Sequence, residues 1–593
     1  MLQNLLLGHR RRLAGLLLLT VAGTLLALAI PYILRLAVDA ITRGTTSRTL
    51  AGYGLLMVLL TAAAGALRFV RAYGFSHVSR LIEYRMRNDL LAHLQRLHPA
   101  FFQTTRTGDL MARMTNDLNA VRQMLGPGLQ NFTNTLVSFV ITLAIMFSIS
   151  IRLALYAGIL LPLVSLAFIG LRRQIERRFT AVQEQFSTIS AKAQEAFSGV
   201  RIVKAFAQEE DWVDHFRGAN QEYVDRSIRL ARVQSTLWPV MQLLVGLAFA
   251  MVILLGGQDV IAGRLSLGEY VQFNGYLTML VWPMIALGWT AQLYQQGMAS
   301  LRRIQELFET QPAIVGGSLL PHSLDGEIEL RDVSFAYGAT PVLRHLNLHV
   351  PRRGSLGIVG HTGSGKTSLV QLLLRLYDAS DGQVMLDGID VRDWQLDELR
   401  RVIGYVPQET FLFSDSLADN IALGVPSFGL RALGSELDRN SELKTQNSEL
   451  AMAVRVSRLE NDLPDFPHGL ETVIGERGVT LSGGQKQRTA IARAVMKDPK
   501  ILILDDALSS VDTSTAEQIL SELRQVMRDR TTIIVSHRIS AVRECDQIVV
   551  LRDGEIVERG THLDLIRAGG EYGRIYRHQL LREELDLGAS DAV

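Results

Sequence analysis

Residues 360–367 combine glycines, a lysine and a hydroxyl group in a spacing that suits the binding of phosphate. Their sequence, GHTGSGKT, fits the pattern G-x-x-x-x-G-K-[ST], whose fixed positions are Gly360, Gly365, Lys366 and Thr367. In such a turn, backbone N–H groups surround a phosphate chain at the positive end of a helix. The loop is completed by His361, Thr362, Gly363 and Ser364. We expect Lys366 to reach the β- and γ-phosphates of a nucleotide, and Thr367 to place its hydroxyl on Mg²⁺.

The residues on either side of this loop predict the secondary structure that the motif needs. SLGIVG, before the loop, is typical of a short buried strand, and SLVQLLLRLY, after it, is typical of a helix. The alternative interpretation is a Gly-rich surface loop before an ordinary helix, which this flanking sequence disfavours.

Two carboxylates and a histidine follow predicted strands further along the chain. The apolar run ILILDD ends in Asp505 and Asp506, and TTIIVSH ends at His537. Buried parallel strands have this composition, and α/β proteins bind ligands at the carboxyl ends of such strands. Asp505 is therefore expected to hold Mg²⁺, and Asp506 to act as a general base on the attacking water. His537 is expected to contact the γ-phosphate.

Two further residues carry a signal mainly through their order along the chain. Gln408 follows a predicted strand in VIGYVPQETF, where its amide can bridge Mg²⁺ and the attacking water. Tyr337 ends the alternating segment IELRDVSFAY, where its ring can stack on adenine. Taken alone, a tyrosine here is more often an ordinary strand-surface residue, and a lone glutamine is uninformative.

A second glycine-rich motif, LSGGQKQR at 481–488, predicts a second anion site. The residues at its centre are Ser482, Gly483, Gly484 and Gln485. They open the predicted helix QKQRTAIARAVM, and free N–H groups at a helix N-terminus favour an anion. This motif does not reach the phosphate held by Lys366 unless the chain folds back improbably far. The sequence therefore predicts a dimer with shared nucleotide sites.

The composition indicates a chain divided between lipid and water. Hydrophobic residues make up 48% of the 593 residues and charged residues 20%, and the mean hydropathy is +0.17. This length suggests about four domain-sized units. The net charge of +2 gives no reason to expect a nucleic-acid partner. The single cysteine, Cys545, excludes a disulfide within the chain and is expected to be a small, partly buried side chain.

The N-terminal half contains about six apolar segments that are long enough to cross a bilayer. Their approximate positions are 13–34, 53–73, 132–151, 153–171, 237–262 and 270–294. The first follows a basic stretch, but it is longer than a signal-peptide core and shows no cleavage site, so we expect a retained membrane helix. Arginines concentrate at the N-terminus and in two long connections, 74–131 and 172–236. The positive-inside rule places these segments and the C-terminal half in the cytoplasm.

Both long connections have helical periodicity and predict cytoplasmic extensions of the membrane helices. Each is interrupted by a short segment, at 101–117 and 195–211, where Gly108 and Gly199 would permit a turn into a short transverse helix. Such a segment is either a plain hairpin tip or a contact that transmits motion to the soluble half. Spacing alone does not separate these interpretations.

The last predicted span is unusually polar and aromatic. Its residues of this kind are Tyr270, Gln272, Phe273, Asn274, Tyr276, Trp282, Trp289, Gln292 and Tyr294. Because lipid does not satisfy polar groups, they line a cavity in one interpretation; in the other they pack together or form an interfacial belt. We expect a transmembrane domain at 1–310, a linker at 311–325, a nucleotide-binding domain at 326–580 and a flexible tail at 581–593.

The order of these motifs resembles that of the ATP-binding cassette exporters of the multidrug-resistance type, in particular a bacterial half-transporter. The resemblance rests on the phosphate loop, LSGGQ and the ILILDD strand, and it covers essentially the whole chain. It implies a membrane all-α domain of six transmembrane helices with long cytoplasmic extensions. An α/β P-loop nucleotide-binding domain with a helical subdomain would follow. It also implies ATP and Mg²⁺ as cofactors, a small amphiphilic substrate, and a multi-pass location in the bilayer of a bacterial inner membrane.

The resemblance also implies roles for individual residues. Tyr337 corresponds to the adenine-stacking tyrosine, Gln408 to the Q-loop glutamine and His537 to the switch histidine. Residues 482–485 correspond to the signature that caps the ATP of a partner subunit. The segments around Gly108 and Gly199 correspond to coupling helices, which favours their role in transmitting motion.

Asp506 departs from the family pattern, which usually has Glu at this position. A base that is one methylene short loses much of a contribution that is typically about 10²–10⁴-fold, and small displacements cost rate without costing binding. The site built on Lys366 is therefore expected to bind MgATP and to hydrolyse it slowly. We expect the chain to pair with a different half-transporter that has Glu after its own counterpart of Asp505. A homodimer in which Asp506 works through a longer water bridge is the alternative.

The expected function is ATP-driven export of amphiphilic drugs or lipids by alternating access. Export of one specific metabolite or peptide is an alternative, as is an ATP-binding regulatory subunit that does not pump. The predicted spans exclude a soluble ATPase that acts on nucleic acid. The polar segment GSELDRNSELKTQNSEL at 434–450 is expected to be a solvated loop inserted into the helical subdomain.

Overall fold

The chain forms two units, each with its own packed core. The computed structural model describes residues 7–320, 324–425, 439–475 and 481–590. Unit 1 comprises Met1–Arg96 and Thr105–Gln311, and unit 2 comprises Leu97–Thr104 and Pro312–Val593. The boundary after Gln311 falls inside the predicted linker.

The described part of unit 1 consists of helices and short connections. Its α-helices are α1 (Arg10–Thr42), α2 (Ser47–Leu94), α4 (Thr107–Ala112), α5 (Leu118–Gln123), α6 (Leu129–Ile149), α7 (Ile151–Ser198), α8 (Val200–Ala205), α9 (Glu209–Ile261) and α10 (Leu267–Glu309), and α3 (Pro99–Thr104) belongs to unit 2. Two π-helical turns, Arg113–Asp117 and Met124–Gly128, join α4, α5 and α6 into one continuous rod. Pro127 lies in the second turn, where its missing N–H interrupts regular α-helical bonding.

Side-chain caps fix where several of these helices begin. Thr46 accepts a hydrogen bond from the Thr49 N–H before α2, and Ser150 accepts one from the Leu153 N–H before α7. Ser266 and Glu269 form a reciprocal capping box at the start of α10. The break between the third and fourth predicted spans therefore lies at Ser150.

Four stretches of the described helices are long and apolar enough to cross a membrane. They are Arg10–Thr42, Ser47–Leu94, Thr107–Ile149 and Glu209–Ile261. In their most apolar windows at most 22% of the residues are buried, and in Ser47–Leu94 none is. Apolar side chains thus cover the outside of the bundle, as lipid-facing helices require. Helices α7 and α10 contain the two other predicted spans, and unit 1 is a membrane all-α domain.

Some polar and aromatic residues of α10 pack in the bundle core, and others lie at the surface of the bundle. Phe273 and Tyr276 are fully buried, and the Tyr276 hydroxyl donates a 2.8 Å hydrogen bond to the Leu28 carbonyl of α1. Trp282 and Trp289 are exposed. The first turns of α10 therefore hold the bundle core together, and the later aromatic residues remain available at its surface.

Short helices interrupt both long connections, although one predicted turn lies elsewhere. The second connection turns at Gly199 into α8, as expected. Gly108, in contrast, lies within α4, so the prediction that it forms the turn is wrong. The chain bends instead at Thr105 and Arg106, where the extended backbone of Arg106 precedes the helix.

Unit 2 contains two β-sheets. Its strands are β1 (Ile328–Tyr337), β2 (Thr340–Val350), β3 (Ser355–Gly360), β4 (Asp381–Leu386), β5 (Ile389–Asp390), β6 (Ile403–Val406), β7 (Ile501–Asp505), β8 (Thr531–Val535), β9 (Gln547–Arg552) and β10 (Glu555–Gly560). The order β2-β1-β4-β5 forms an antiparallel sheet, and β10-β9-β3-β8-β7-β6 forms a second sheet in which only β10 is antiparallel to its neighbour. Every residue of β7 and β8 is buried, which explains their continuous apolar sequences.

Helices cover the parallel sheet and form a helical subdomain. They are α11 (Lys366–Leu373), α12 (Leu396–Arg401), α13 (Leu417–Ala422), α14 (Arg439–Val456), α15 (Gly483–Met496), α16 (Thr513–Met527), α17 (Ile539–Val542), α18 (His562–Ala568) and α19 (Glu571–Ser590). Ile421, Ala453 and Ile491, from α13, α14 and α15, share one buried cluster. The fold is thus an α/β nucleotide-binding domain with a helical subdomain, as predicted.

The prediction of a solvated loop at 434–450 is wrong for its C-terminal part. Residues from Arg439 onward form the first turns of α14, and residues 434–438 lie outside the described residues. The segment is rich in Glu, Leu, Lys and Gln, which favour helix, and it continues into the buried residues Ala453 and Val454. Helix propensity and packing of the following turn therefore outweigh the low complexity of the sequence.

Candidate functional site

The glycine-rich loop lies between β3 and α11, the arrangement that its flanking sequence predicts. Gly365 has φ +101°, and a Cβ there would lie 2.5 Å from Cδ2 of Leu343. A Cβ at Gly360 would collide with the carbonyl oxygen of Leu551. Gly360 also has a positive φ, +155°, so both positions need glycine for their backbone conformation and for the close approach of a neighbouring part of the chain. The result is a cradle of backbone before the first turn of α11.

Lys366 is buried at the start of α11, and its ammonium closes the loop on itself. Its Nζ donates hydrogen bonds to the carbonyl oxygens of Gly360, at 2.9 Å, and His361, at 2.8 Å. Burial lowers the pKa of Lys366, and the nearby carboxylates of Asp506 and Asp505 oppose that shift. A cation is thus held at the mouth of the loop by neutral oxygens, ready to be exchanged for phosphate oxygens.

Asp505 ends β7 as a buried carboxylate. Only 1% of the residue is exposed, and its Oδ2 has no hydrogen-bond partner among the described residues. Burial raises the pKa of Asp505 to about 6, although hydrogen bonding from Thr367 and the charge of Lys366 oppose the rise. A buried carboxylate oxygen without a partner is suited to a cation. The Thr367 hydroxyl hydrogen-bonds to Asp505, so a carboxylate and a hydroxyl, ligands of the oxygen type that Mg²⁺ prefers, lie together here.

The register of the parallel sheet brings Gln408, Asp506 and His537 to one edge. Val406 of β6 pairs with Leu504 of β7, so Gln408 and Asp506 both lie two residues beyond paired positions. Asp505 pairs with Val535 of β8, and Ile358 of β3 pairs with the same valine. The carboxyl ends of these strands therefore meet beside the glycine-rich loop, as expected for a ligand site in an α/β sheet.

Asp506 and His537 interact electrostatically with Lys366 across this edge. The backbone of Asp506 is left-handed, with φ 50°, and its N–H donates to the Val535 carbonyl at 2.8 Å. Burial and the charge of Lys366 lower the pKa of His537, whereas the Asp506 carboxylate opposes that shift. The three side chains that sequence analysis selected separately are thus one coupled group.

Tyr337 lies at the end of β1 and next to α11. Its hydroxyl donates to Oε1 of Gln371 at 2.6 Å and lies 3.3 Å from the Ser368 hydroxyl. Its ring contacts Phe335 and Tyr377 edge-on, with centroids 4.8 Å and 5.2 Å away. These contacts orient a half-exposed aromatic ring beside the helix that follows the phosphate loop, where it can offer a face to a base.

The LSGGQ motif opens α15 through a capping box. Ser482 accepts a hydrogen bond from the Gln485 N–H, and the Gln485 side chain accepts one from the Ser482 N–H. Gly483 is exposed, and Gly484 lies so close to the Ser510 carbonyl that a Cβ would approach it to 3.1 Å. Small residues thus keep this helix N-terminus open to an anion.

The phosphate loop and the LSGGQ motif belong to different parts of the hydrophobic core. Leu369 and Val370 of α11 pack in the cluster that spans both sheets. Leu481 and Ile491 pack in a second cluster, which joins the helical subdomain to residues of the parallel sheet, including Val359 just before the phosphate loop. The two predicted anion sites therefore rest on different core clusters that both include the parallel sheet.

Two elements that contact the predicted site residues were not predicted from the sequence, and the first is the loop after Asp506. Gln487 of α15 donates to the Ser509 hydroxyl at 2.7 Å and accepts from the Ser510 N–H at 2.8 Å, which ties the signature helix to the loop after Asp506. Gln487 lies two residues after the LSGGQ motif, but the loop at Ser509 and Ser510 has no sequence motif that would have predicted this contact.

The other missed element is the C-terminal helix α19. Glu571 accepts a hydrogen bond at 2.9 Å from His361 of the phosphate loop. Gln579 donates to the carbonyl of His537 and accepts from the Ile539 N–H at 2.9 Å. A cavity of about 620 Å³ lies between this helix, the loop and His537. Such long-range contacts leave no local signal in the sequence.

The two halves of the chain match two family models. Residues 13–284 match the model described as "ABC transporter transmembrane region", and residues 343–509 match the model described as "ABC transporter". The first range covers most of unit 1, and the second contains the phosphate loop, the LSGGQ motif and Asp506.

Several known proteins are similar to this chain over almost its full length. The probable multidrug resistance ABC transporter ATP-binding/permease protein YheI of Bacillus subtilis is 36% identical, with 94% of both chains covered. The multidrug resistance-like ATP-binding protein MdlA of Escherichia coli is 35% identical, with 97% of this chain and 95% of MdlA covered. An ATP-dependent lipid A-core flippase of Syntrophus aciditrophicus is 32% identical, with 96% of this chain and 93% of the flippase covered.

A solved structure is similar to the whole fold. The structure of a bacterial Atm1-family ABC exporter with ATP bound matches with a TM-score of 0.77 and 27% identity, covering 96% of this chain and 99% of that one. An apolar helical bundle, a phosphate loop, an LSGGQ helix and a buried strand ending in carboxylates occur together in this chain. The chain belongs to the ABC transporter family, as an exporter-type transport ATPase in which a transmembrane domain precedes an ATP-binding cassette.

Proposed function

We propose that this chain is one half of a dimeric exporter of amphiphilic compounds, in which its own ATP site hydrolyses slowly. The observation that carries the proposal is the pairing of an intact LSGGQ helix with an aspartate, Asp506, at the position of the general base. The first feature serves a partner's nucleotide, and the second impairs hydrolysis at the chain's own phosphate loop.

In the proposed ATP site, Lys366 releases the carbonyl oxygens of Gly360 and His361 and binds the β- and γ-phosphates. The N–H groups of the loop hold the same phosphates at the N-terminus of α11. Tyr337 stacks on the adenine with the ring that Gln371 orients. Thr367, Gln408 and Asp505 supply the oxygen ligands for Mg²⁺, which when bound neutralises phosphate charge and fixes the geometry of transfer.

Asp506 is the proposed general base for the water that attacks the γ-phosphate. Its carboxylate is one methylene shorter than that of Glu, and its left-handed backbone fixes where the side chain begins. Asp tolerates this backbone conformation better than most residues do. A base held short of its water contributes less than the usual acceleration of about 10²–10⁴-fold. ATP therefore stays bound at this site for longer than at one with Glu.

The proposed partner is a different half-transporter whose cassette has Glu at this position. The N-terminus of α15, from Ser482 to Gln485, closes the partner's ATP site, and the partner's signature closes the site on Lys366. Hydrolysis at the partner's site drives each cycle, while ATP at the slow site keeps the cassettes together. His537 contacts the γ-phosphate and reports its presence to the helix that follows.

The membrane unit is proposed to lie in a bacterial inner membrane, with its N-terminus and the cassette in the cytoplasm. Closure of the cassettes on ATP moves the short helices α3 and α8, and the bundle opens outward. The names of the relatives include multidrug transporters and a lipid A-core flippase. These names favour an amphiphilic substrate over a small hydrophilic one.

Two alternatives follow from the same residues. In a homodimer, Asp506 reaches its water through a longer bridge, and the exporter carries one specific metabolite or peptide. In a regulatory subunit, ATP binds without driving transport. The intact capping box of the LSGGQ helix argues against the second alternative, since a subunit without a partner site has no use for it.

The ATPase rate of the full chain, purified alone in nanodiscs, tests the proposal. We expect the wild type to bind ATP but to turn it over slowly, and Asp506→Glu to raise the rate by about tenfold or more. Asp506→Asn serves as the control, because it keeps the shape and removes the base. Thermal unfolding of each variant confirms that the left-handed backbone accepts the change.

If the wild type hydrolyses ATP rapidly and Asp506→Glu barely raises the rate, the main support for a partner that differs from this chain is lost. The self-sufficient homodimer would then be the working model.

A further inference from the structure

Arg71 is a buried cation of unit 1 for which the described residues provide no carboxylate. It lies in the second predicted span, on α2, and is 7% exposed. Its guanidinium donates a 2.6 Å hydrogen bond to Oδ1 of Asn134 on α6, and its Nε has no hydrogen-bond partner among the described residues. Burying a cation without a counter-charge is expensive in a membrane protein, so such a residue points to function.

Other arginines of the bundle, which are more exposed than Arg71, have acidic partners. Arg35 pairs with Glu269 at 2.9 Å, Arg303 pairs with Asp117, and Arg264 pairs with Asp259. Within the described chain, neither Arg71 nor Arg68 takes part in an ion pair. Among the described residues of the bundle, Arg71 is thus the arginine that is buried without an ion pair, whereas Arg68 is exposed.

Arg68 and Arg71 line the same cavity. They are three residues apart on α2 and therefore lie on one face of the helix. The cavity has a volume of about 200 Å³ and is also lined by Thr24, Asn134 and Trp282. No acidic residue is among its described lining residues. Two cations, an amide, a hydroxyl and an aromatic ring therefore converge on a space with a positive potential.

Snorkelling does not account for the position of Arg71. An arginine near the end of a span commonly extends its side chain to the interfacial water. The Arg71 side chain instead runs inward, to Asn134 on a different helix, and stays buried. Its neighbour Arg68, in contrast, is exposed.

We propose that this cavity binds the anionic head group of an amphiphile, with Arg71 as the principal ligand and Arg68 as a second cation. This inference rests on the proposed export function and narrows its substrate class from amphiphiles in general to those with a phosphate or carboxylate group. Charge-assisted hydrogen bonds from guanidinium to such groups are the strong, geometrically specific kind. The apolar tail extends along the aliphatic and aromatic walls of the cavity.

Tryptophan fluorescence of the full chain in phosphatidylcholine nanodiscs, without nucleotide, tests this site. Dodecyl phosphate and dodecyltrimethylammonium, two probes with the same tail, are titrated, and a Trp282→Phe variant isolates the signal from the cavity. We expect saturable binding of dodecyl phosphate and weaker binding of the cation. Arg71→Gln is expected to weaken the binding of dodecyl phosphate by about 10- to 100-fold.

Control variants separate a lost ligand from a lost fold. Arg87→Gln removes an exposed arginine from the same helix, where it pairs with Glu83, and should leave binding unchanged. Arg71→Lys keeps the charge and should retain part of the affinity, and Arg68→Gln should weaken binding by a smaller factor. Nucleotide binding in the same samples reports separately on the cassette, so failure at the cavity is distinguishable from failure of the proposed ATP site.

Equal affinity of wild type and Arg71→Gln for dodecyl phosphate would overturn the proposal, as would tighter binding of the cationic probe. Native mass spectrometry distinguishes two sources of the anion, both of which support the site. Anionic phospholipid that copurifies with the wild type, but not with Arg71→Gln, identifies a resident membrane lipid. Binding of dodecyl phosphate to a lipid-free site identifies an amphiphile that enters from outside.

Discussion

Asp505 and Asp506 are adjacent in the chain but occupy different environments. Asp505 ends a fully buried strand, and its Oδ2 has no hydrogen-bond partner among the described residues. Burial raises the pKa of Asp505 to about 6. Asp506 leaves the strand through a left-handed turn toward Lys366 and His537. The two consecutive carboxylates are thus suited to different roles, that of Asp505 to binding a cation and that of Asp506 to accepting a proton.

The raised pKa of Asp505 makes the stability of the nucleotide-free protein depend on pH. Because the folded-state pKa lies above the ordinary value near 3.9, folding favours the neutral acid. The stability linked to this group is fully present below about pH 4 and is lost as pH rises through about 6. Asp505→Asn should therefore have a higher melting temperature than the wild type at pH 8, and the difference should shrink at pH 5.

Thermal unfolding of Asp505→Asn with and without MgATP measures two effects, the change in the pH dependence of stability and the loss of stabilisation by MgATP. We expect MgATP to stabilise the wild type at pH 8 and to stabilise Asp505→Asn much less, because the amide does not replace the carboxylate on Mg²⁺. Asp529→Asn, an exposed change in the same unit, should behave like the wild type. An unchanged pH dependence in Asp505→Asn would contradict the assignment.

At the scale of elements, helix α19 holds both ends of the phosphate site. Glu571 at its start binds His361 of the glycine-rich loop, and Gln579 further along binds the backbone on both sides of Arg538, at His537 and Ile539. The side chain of Gln579 thus satisfies the N–H that opens α17, an otherwise unpaired group of a helix terminus. The helix therefore acts as a brace for the loop that carries His537.

Removal of the Gln579 amide should loosen this loop. We expect Gln579→Ala to speed hydrogen exchange at 539–542 by about fivefold, since a net hydrogen bond contributes about 1 kcal/mol. Hydrogen–deuterium exchange with mass spectrometry on the full chain measures this. Arg577→Ala, an exposed change on the same helix, is the matched control. Unchanged protection of this segment in Gln579→Ala would show that the brace is unimportant.

At the scale of the whole molecule, the cassette carries two predicted anion-binding surfaces. The helix after the phosphate loop packs in the cluster that spans both sheets, and the LSGGQ helix packs in a cluster that joins the helical subdomain to the parallel sheet. Gln487 connects the second surface to the loop after Asp506. The proposed dimer with shared sites would use both surfaces, and Gln487 would link them within one cassette.

If the ATP sites are shared between subunits, a change in the LSGGQ motif should abolish the ATPase activity that Asp506→Glu adds at the partner's phosphate loop. In the Asp506→Glu background, Gly484→Asp should remove most of the added ATPase activity, because a carboxylate at the N-terminus of α15 repels the partner's phosphates. Ser521→Asp introduces the same charge at an exposed position of α16, and should preserve that activity. Full activity of the Gly484→Asp double variant would exclude shared sites. Steady-state ATPase assays compare the three proteins.

The sequence by itself determined the family, the order of the two halves and the candidate ATP-site residues. These features are local: a loop such as GHTGSGKT, or an apolar run such as ILILD, carries its physical requirement in consecutive residues. The same local reasoning was wrong at Gly108, because an extended Arg106 makes the turn, and at 439–450, because helix propensity and packing prevailed over low complexity. A local sequence pattern shows which conformations a segment can adopt. It does not show which neighbouring residues or packing contacts select one of them.

Only the tertiary structure decided which groups have partners. Gln579 contacts His537 from 42 positions away, and Arg71 lies beside Asn134 but no described carboxylate. Whether a buried charge is neutralised depends on packing among helices that are distant in the chain, and no spacing rule encodes it. The contrast between the paired Arg35 and the unpaired Arg71 therefore became visible only when the bundle was assembled.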